Sequence, residues 1–283
     1  MNLRPYRPDD DLTLVTLNPD LLPFQMDGIY HNQGYVWVIE DEGDPAGYAT
    51  AIPVPGLPSL MDLALFVTPH KRGKGLGSRA LQAMCQELGP LGVTALTYPV
   101  PSLAVPAGQF LLRNGFTIEH EEINMVLDNL QQLPPVHFPA GATLLTFSFP
   151  LVSQHFRQLY EESFGGTPSY QPYSDIELMF ELPNPADILF LQVNGQLVGF
   201  VWARLEGDKV GGIEPLGVVA GQQGRGYGRL LLLAGLHDLA RRGARRGRLG
   251  VWSSNRPAVQ LYESVGFRPV STRIYLHRQL SPS

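Results

Sequence analysis

A glycine-rich loop that occurs twice is what most limits how this chain can fold. Residues 218–228 read V-V-A-G-Q-Q-G-R-G-Y-G and run into a helical block, Arg229 to Arg242. Residues 68–77 read T-P-H-K-R-G-K-G-L-G and likewise open a helix, Leu76 to Leu88. Arg72 and Gln223 hold the same place in the two loops, 151 positions apart. The pairs Gly115-Phe116 and Gly266-Phe267 keep that offset of 151, and Gly47-Tyr48 and Gly199-Phe200 are offset by 152. A chance loop does not bring its neighbours with it, so the chain carries an internal duplication.

Each loop follows an apolar β-like run and precedes an apolar-faced helix. Glycines let the backbone turn tightly and come close to a ligand. The N–H groups left free at a helix start, together with the helix dipole, favour an anion there. The pattern describes a pyrophosphate cradle. No Gly-Lys-Ser/Thr follows, so it is not a P-loop, and the glycine spacing also departs from the dinucleotide fingerprint.

A length of 283 residues suits two domains. Their expected limits are 1–128 and 141–283, joined by a proline-rich linker at 129–140. With 44% hydrophobic and 17% charged residues a sizeable core can form. The net charge of −5 argues against a nucleic-acid surface. It is unevenly spread: residues 1–140 hold 7 basic and 15 acidic side chains, the remainder 14 and 11. The lone cysteine, Cys85, rules out a disulfide framework and suits a reducing compartment. Leu81, Met84, Cys85 and Leu88 share one helical face, so Cys85 reads as core rather than nucleophile. The histidines lack metal-ligand spacing, so no metal site is expected. No leader-like or membrane-spanning apolar run is present, and a cytoplasmic protein without a membrane partner is expected.

In the first half, strands are expected at Leu3–Tyr6, Tyr35–Glu40, Gly47–Pro53, Leu60–Val67 and Val93–Tyr98, with a polar, helical region reaching Tyr30. In the second, a strand at Ala142–Phe147 precedes helices at Leu151–Phe164 and Asp175–Leu182. A hairpin at Asn194-Gly195 follows, then strands ending at Val219 and Trp252, and a closing strand from Phe267 to Leu276. This order of mixed elements fits an α/β or α+β layered fold.

Downstream of the second loop stands N-R-P-A-V-Q-L-Y-E-S-V-G-F, residues 255–267. Asn255 can cap a helix, Pro257 is tolerated in its first turn and Gly266 can end it. Ala258, Leu261, Tyr262 and Val265 form a helical stripe, and a tyrosine so placed, taken alone, is more often a core residue than a catalyst.

The spacing Gln223-x-x-Gly226-x-Gly228, repeated as Arg72-x-x-Gly75-x-Gly77, resembles the coenzyme A signature Q/R-x-x-G-x-G of the GNAT superfamily of N-acetyltransferases. Residues 255–267 resemble its second signature, N-x-x-A-x-x-L-Y-x-x-x-G-F, at every named position. The resemblance implies two tandem GNAT folds, each with a mostly antiparallel, splayed central sheet and helices on both faces. It implies acetyl-CoA as cofactor and transfer of acetyl to an amine, most simply a small molecule. The implied cofactor contacts are Val218, Gln223, Gly224, Arg225, Gly226, Gly228 and Asn255, and in the first half Val67, Arg72, Gly73, Gly75 and Gly77. Val218 would act through its backbone. The tyrosine at position 262 is implied as the acid for the departing thiolate.

Direct attack of a primary amine on the thioester runs through a tetrahedral intermediate and also needs a base and an oxyanion donor. Glu214 is the candidate base, because period-2 counting puts it on one strand face with Leu216 and Val218. Pro215 beside it marks a bulge or an edge. Shifting by 151 puts Ala104 in place of Asn255, Leu111 in place of Tyr262 and Leu63 in place of Glu214, with Asp62 of the wrong parity to substitute. The first half thus keeps the phosphate loop and loses the proton-transfer groups. Arg241, Arg242, Arg245, Arg246 and Arg248 read as a solvated helix end rather than a phosphate patch. The aromatic loop 164–173 reads as a wall of the acceptor site or as ordinary packing. A non-catalytic acyl-CoA sensor and a protein or peptide N-acetyltransferase remain the alternatives. The assembly is expected to be a monomer with an internal pseudo-dimer, or a homodimer.

Overall fold

The computed structural model describes residues 2–18, 35–207 and 209–280; most of the helical region expected before Tyr30 lies outside them. The first half runs β1 (Asn2–Pro5), α1 (Asp11–Leu17), β2 (Val36–Asp41), β3 (Asp44–Val54), β4 (Leu57–Val67), α2 (Leu76–Leu88), β5 (Ala95–Val100), α3 (Pro106–Arg113) and β6 (Thr117–Leu127). The second runs β7 (Ala142–Leu145), α4 (Leu151–Phe164), α5 (Asp175–Glu181), β8 (Ile188–Val193), β9 (Gln196–Glu206), β10 (Val210–Val218), α6 (Tyr227–Arg241), β11 (Arg246–Trp252), α7 (Arg256–Val265) and β12 (Arg268–Gln279).

The compact units do not follow the two halves of the sequence. One comprises Met1–Glu119 with Ile274–Ser283, and the other His120–Arg273. In the first, β1 to β5 are joined by the end of β12, whose Ile274 to Gln279 lie antiparallel to Val100 to Ala95. In the second, β7 to β11 are joined by β6, whose Leu127 to Glu122 lie antiparallel to Gly247 to Trp252. The closing strand of each repeat therefore completes the unit made by the other repeat. Duplicated strands share one apolar pattern, which makes such an exchange inexpensive. Residues 129–140, expected to link two domains, fall within the second unit. Leu130 is buried, its N–H donates to the Arg245 carbonyl at 2.9 Å, and the His237 ring approaches the Pro134 carbonyl at 2.9 Å.

Both units are antiparallel apart from one short parallel contact. This joins Leu60–Asp62 of β4 to Ala95–Thr97 of β5 in one, and Val210–Gly212 of β10 to Arg246–Arg248 of β11 in the other. Beyond it the parallel partners separate, giving the splayed sheet expected from the resemblance. Helices cover both faces of the second sheet. On one side α6 buries Leu231, Leu232, Leu236 and Leu239 against Val201, Ala203 and Ile213. A β-carbon at Gly235 would sit 3.1 Å from both Ile213 and Val201, so this glycine allows the helix to approach. On the other side α4 buries Phe156 and Tyr160 against Phe200 and Trp202. Large side chains this buried contribute about 1.5–3 kcal/mol each.

The alternation along β10 corrects the parity argument for Glu214. Ile213 lies opposite Ala203 and Leu216 opposite Val201, so three steps on β10 match two on β9. The extra residue is a bulge at Pro215, which has no N–H to give the ladder. Ile213, Leu216 and Val218 consequently pack on the α6 side, and Glu214 lies on the opposite face with Gly212. In the first unit the register from Gly47↔Val67 to Pro53↔Met61 is unbroken. Asp62 opposite Ile52 is thus the counterpart of Gly212 opposite Arg204. It occupies the face that Glu214 occupies in its own unit, contrary to the parity reading.

Candidate active site

The site forms where β10 and β11 part. The last parallel pair is Gly212↔Arg248, and Glu214 stands two residues beyond it. Glu214 is exposed by surface area, but many protein atoms surround its carboxyl, and the resulting loss of hydration pushes it up to about 7. The charge of Glu122 pushes the same way, while Arg204 and Arg248 oppose it. A carboxyl poised near neutrality beside parted strands matches what a general base needs.

Tyr262 comes from α7, which begins as the sequence suggests. The Asn255 side chain caps it by accepting from the Ala258 N–H at 3.3 Å, Pro257 lies in the first turn, and Gly266 ends it at φ 105°. The ring is 8% exposed and meets Phe267 edge-on at 6.0 Å. Burial, then the charge of Glu214, raise its phenol to about 12. Its hydroxyl has no hydrogen-bond partner among the described residues. Core residue and acid are compatible here: the ring packs and the hydroxyl stays protonated.

The loop ahead of α6 holds Gly224 at φ 75° and Gly226 at φ 83°, Gly226 being the residue that caps the helix. A β-carbon at either would meet nothing within 4 Å, so the left-handed backbone, not crowding, calls for glycine. The Gln223 amide donates to the Val218 carbonyl at 3.0 Å, fastening the loop to the end of β10. Its side chain therefore shapes the cradle rather than reaching into it. Arg225 is exposed, and Gly228 faces Leu261 of α7 at 3.4 Å.

The first unit repeats this construction. Gly73 and Gly75 sit at φ 79° and 75°, and Arg72 donates to the Val67 carbonyl at 2.7 Å. Beside the loop lies a cavity of about 620 Å³, lined among others by Leu65, Val67, Lys71, Arg72, Gly77 and Tyr98. Phe110 lies 3.3 Å from where a Gly77 β-carbon would be and also lines the cavity. A basic, glycine-lipped cavity running along parted strands fits acetyl-CoA. Burial raises the carboxyl of Asp62 on the neighbouring strand face.

The remaining candidates separate cleanly. Arg241 and Arg242 pair with Asp238, Arg242 also with Asp187 at 2.7 Å, and Arg248 with Glu206. Arg241 and Arg242 stand at the end of the 15-residue α6 opposite the glycine loop, a separation of about 22 Å at the helical rise. Loop 164–173 is a packed aromatic wall, with Tyr173 edge-on to Phe156 and Tyr160 at 5.4 and 5.3 Å and Tyr170 bonded to Glu161. Cys85 is half-buried against the core of the first unit, and burial raises its thiol. Among the described residues there is no group of three His, Cys, Asp or Glu able to hold a metal. Among the described residues no helix is long and apolar enough to cross a membrane.

Sequence reasoning missed Glu122 altogether. Its strand belongs to the first repeat by order and to the second unit by packing. The one available signal was Gly250 in β11, a strand glycine of the kind that marks a close approach.

Comparison with known proteins agrees with this geometry. Residues 153–267 match the model of the acetyltransferase (GNAT) family, and residues 32–118 an acetyltransferase (GNAT) domain. The chain is 32% identical over 232 residues to the mycothiol acetyltransferase of Thermomonospora curvata, covering 80% of this chain and 76% of that one. It is 30% identical over 266 residues to that of Acidothermus cellulolyticus, covering 86% and 79%. Among solved structures, a GCN5-related N-acetyltransferase from Sphaerobacter thermophilus superposes with a TM-score of 0.71 at 22% identity, covering 100% of this chain and 96% of that one. A tandem GNAT protein from the clavulanic acid biosynthesis pathway gives 0.66 at 16%, covering 100% and 99%.

Proposed function

This chain belongs to the GNAT acetyltransferases, with one such domain in each half, and from that premise we propose that its second unit acetylates a small-molecule amine by direct attack on acetyl-CoA. The observation that carries the reading is the glycine loop opening α6 beside the parted strands, with Glu214 of β10 near enough to Tyr262 of α7 for its charge to raise the phenol. Acetyl-CoA supplies the acetyl thioester. Gly224, Gly226 and the start of α6 offer N–H groups to its pyrophosphate, Gln223 holds that loop, and the backbone at Val218 lies along the pantetheine path. Arg225, Gly228 and Asn255 flank the same path.

Glu214 takes a proton from the acceptor ammonium, directly or through one water, and frees the nitrogen lone pair. The nitrogen adds to the thioester carbonyl to give a tetrahedral intermediate; as this collapses the C–S bond breaks, and the Tyr262 hydroxyl gives its proton to the departing sulfur. The second ammonium proton, made acidic once the C–N bond has formed, passes to the Tyr262 oxygen and Glu214 returns its proton to solvent, which closes the cycle with acetyl moved and no net redox change.

The first unit is proposed as a second acetyl-CoA site, built on Val67, Arg72, Gly73, Gly75 and Gly77. Its cavity and its matching loop conformation support this. The relatives' name supports a small-molecule acceptor over a protein one. The single cysteine supports a cytoplasmic setting.

Calorimetric titration with acetyl-CoA, followed by a screen of amines against basic peptides, tests these readings. Two binding sites and turnover with a small amine are expected. Absence of any acetyl-CoA binding overturns the proposal, turnover of peptides alone replaces the acceptor class, and a single site removes the first unit's role.

A further inference from the structure

We propose that Glu122 of β6 is an acceptor-positioning carboxylate of the second unit, holding the incoming ammonium beside Glu214 and selecting small amines that carry a second hydrogen-bond donor. The inference rests on the transferase reading above.

Residues directly opposite in an antiparallel pair point to the same side of the sheet. Glu122 stands opposite Trp252, and Asn124 opposite Gly250. Their alternates Met125, Leu249 and Val251 lie in the core under α6, so Glu122 is on the other face, the face of Glu214. Gly250 is two residues past Arg248, as Glu214 is two past Gly212, which places them at one level along neighbouring strands. A β-carbon at Gly250 would lie 3.1–3.3 Å from the Glu122 carboxylate. The missing side chain therefore leaves room for that carboxylate to lie over β11 toward β10.

Glu122 is half-buried and has no hydrogen-bond or ion-pair partner among the described residues. Three other charges on this face are engaged, and the His120 ring, two residues before Glu122 on β6, stacks on Trp252 at 3.9 Å. Glu206 of β9 pairs with Arg248 of β11 and approaches Arg204 at 4.0 Å. Tyr160 of α4, Tyr173 of the loop that follows it and Tyr262 of α7 also feel the charge of Glu214, and burial is the main cause of the rise in each phenol. Glu122 is left to meet a cation or donor from outside. An ammonium held between it and Glu214 can give one proton to Glu214 while Glu122 keeps the charge balanced. A carboxylate has more acceptor positions than one ammonium fills, so an adjacent hydroxyl or amino group on the acceptor gains a partner. Amino alcohols and diamines are the chemical class that fits.

The test compares a simple alkylamine with an amino alcohol and a diamine of the same length, measuring acceptor KM, kcat and the pH profile for the native protein and Glu122→Gln. The native protein is expected to prefer the donor-bearing amines. Glu122→Gln should raise their KM about 10- to 100-fold, the scale of a lost charged hydrogen bond, and change kcat less. With the like charge gone, the acid limb of the profile should move to lower pH, and Glu122→Asp should recover part of the KM loss. Gly250→Ala displaces the carboxylate while leaving it in the chain, and should also raise KM. Glu122→Gln that leaves both KM and the acid limb unchanged overturns the role of Glu122 alone. Native protein that binds acetyl-CoA yet acetylates no amine overturns the transferase reading with it.

Discussion

Arg72 and Gln223, 151 positions apart, make the same bond. Each side chain donates to the carbonyl of a valine five residues earlier, Val67 at 2.7 Å and Val218 at 3.0 Å. A guanidinium and an amide are different donors, but both fold the loop back on the strand that feeds it. The glycines one and three positions after each of these residues then adopt matching left-handed backbones. The shared conformation predicts that the sites can be disabled one at a time. Gly226→Ala places a β-carbon on a left-handed residue, at a cost of about 1–2 kcal/mol. It should weaken acetyl-CoA binding at the second unit and abolish most turnover. Gly75→Ala should remove the first calorimetric site and leave turnover in place.

Tyr262→Phe isolates the hydroxyl, because the ring remains to pack against Phe267. Turnover should fall about 10²- to 10⁴-fold, the usual acid–base contribution, with acetyl-CoA affinity little changed. Single-turnover kinetics beside calorimetry separate the two. Equal loss in both would mean that the phenol is structural.

Glu214 predicts a pH profile and a stability profile of opposite slope. The base works deprotonated, so kcat/KM should rise with pH through about 7 and then level off. The raised carboxyl means that the folded protein keeps a proton that the unfolded chain has already lost. The residue's contribution to stability therefore falls as pH rises from the ordinary carboxylate range to about 7, and is level above it. Glu214→Gln should lose the acid limb of activity and be more stable than the native protein at pH 8. A thermal melt that shows no gain at pH 8 would count against burial as the cause of the shift.

The duplication, both glycine loops, the capped helix α7 and the core role of Cys85 were legible because each is written in local residue types. Two features were not. Period-2 counting works only while each strand residue has one partner, and the bulge at Pro215 gives β10 a residue too many. The side of the sheet facing Glu214 was therefore misread, and Asp62 with it. The strand exchange was hidden for a different reason: β6 and β12 both follow a Gly-Phe turn, so local pattern cannot say which sheet either one joins. Glu122 was missed on that account.

The exchange makes its own prediction. Leu276 belongs to the second repeat by sequence, yet it is 0% exposed in the core of the first unit with Leu81, Met84 and Leu96. Leu276→Ala should cost about 2–5 kcal/mol, as large-to-small core changes do. Hydrogen exchange should show that loss in Ala95–Val100 of β5, its hydrogen-bonded neighbour, more than in α6 of its own repeat. By the same reasoning residues 141–283 expressed alone lack β6 and leave the edge of β11 from Gly247 to Trp252 unpaired. That fragment should aggregate or pair with a second copy. Adding residues 117–127 back as a peptide should restore a soluble, folded species. A fragment 141–283 that is monomeric and folded without the peptide would show that β6 is dispensable to the second unit.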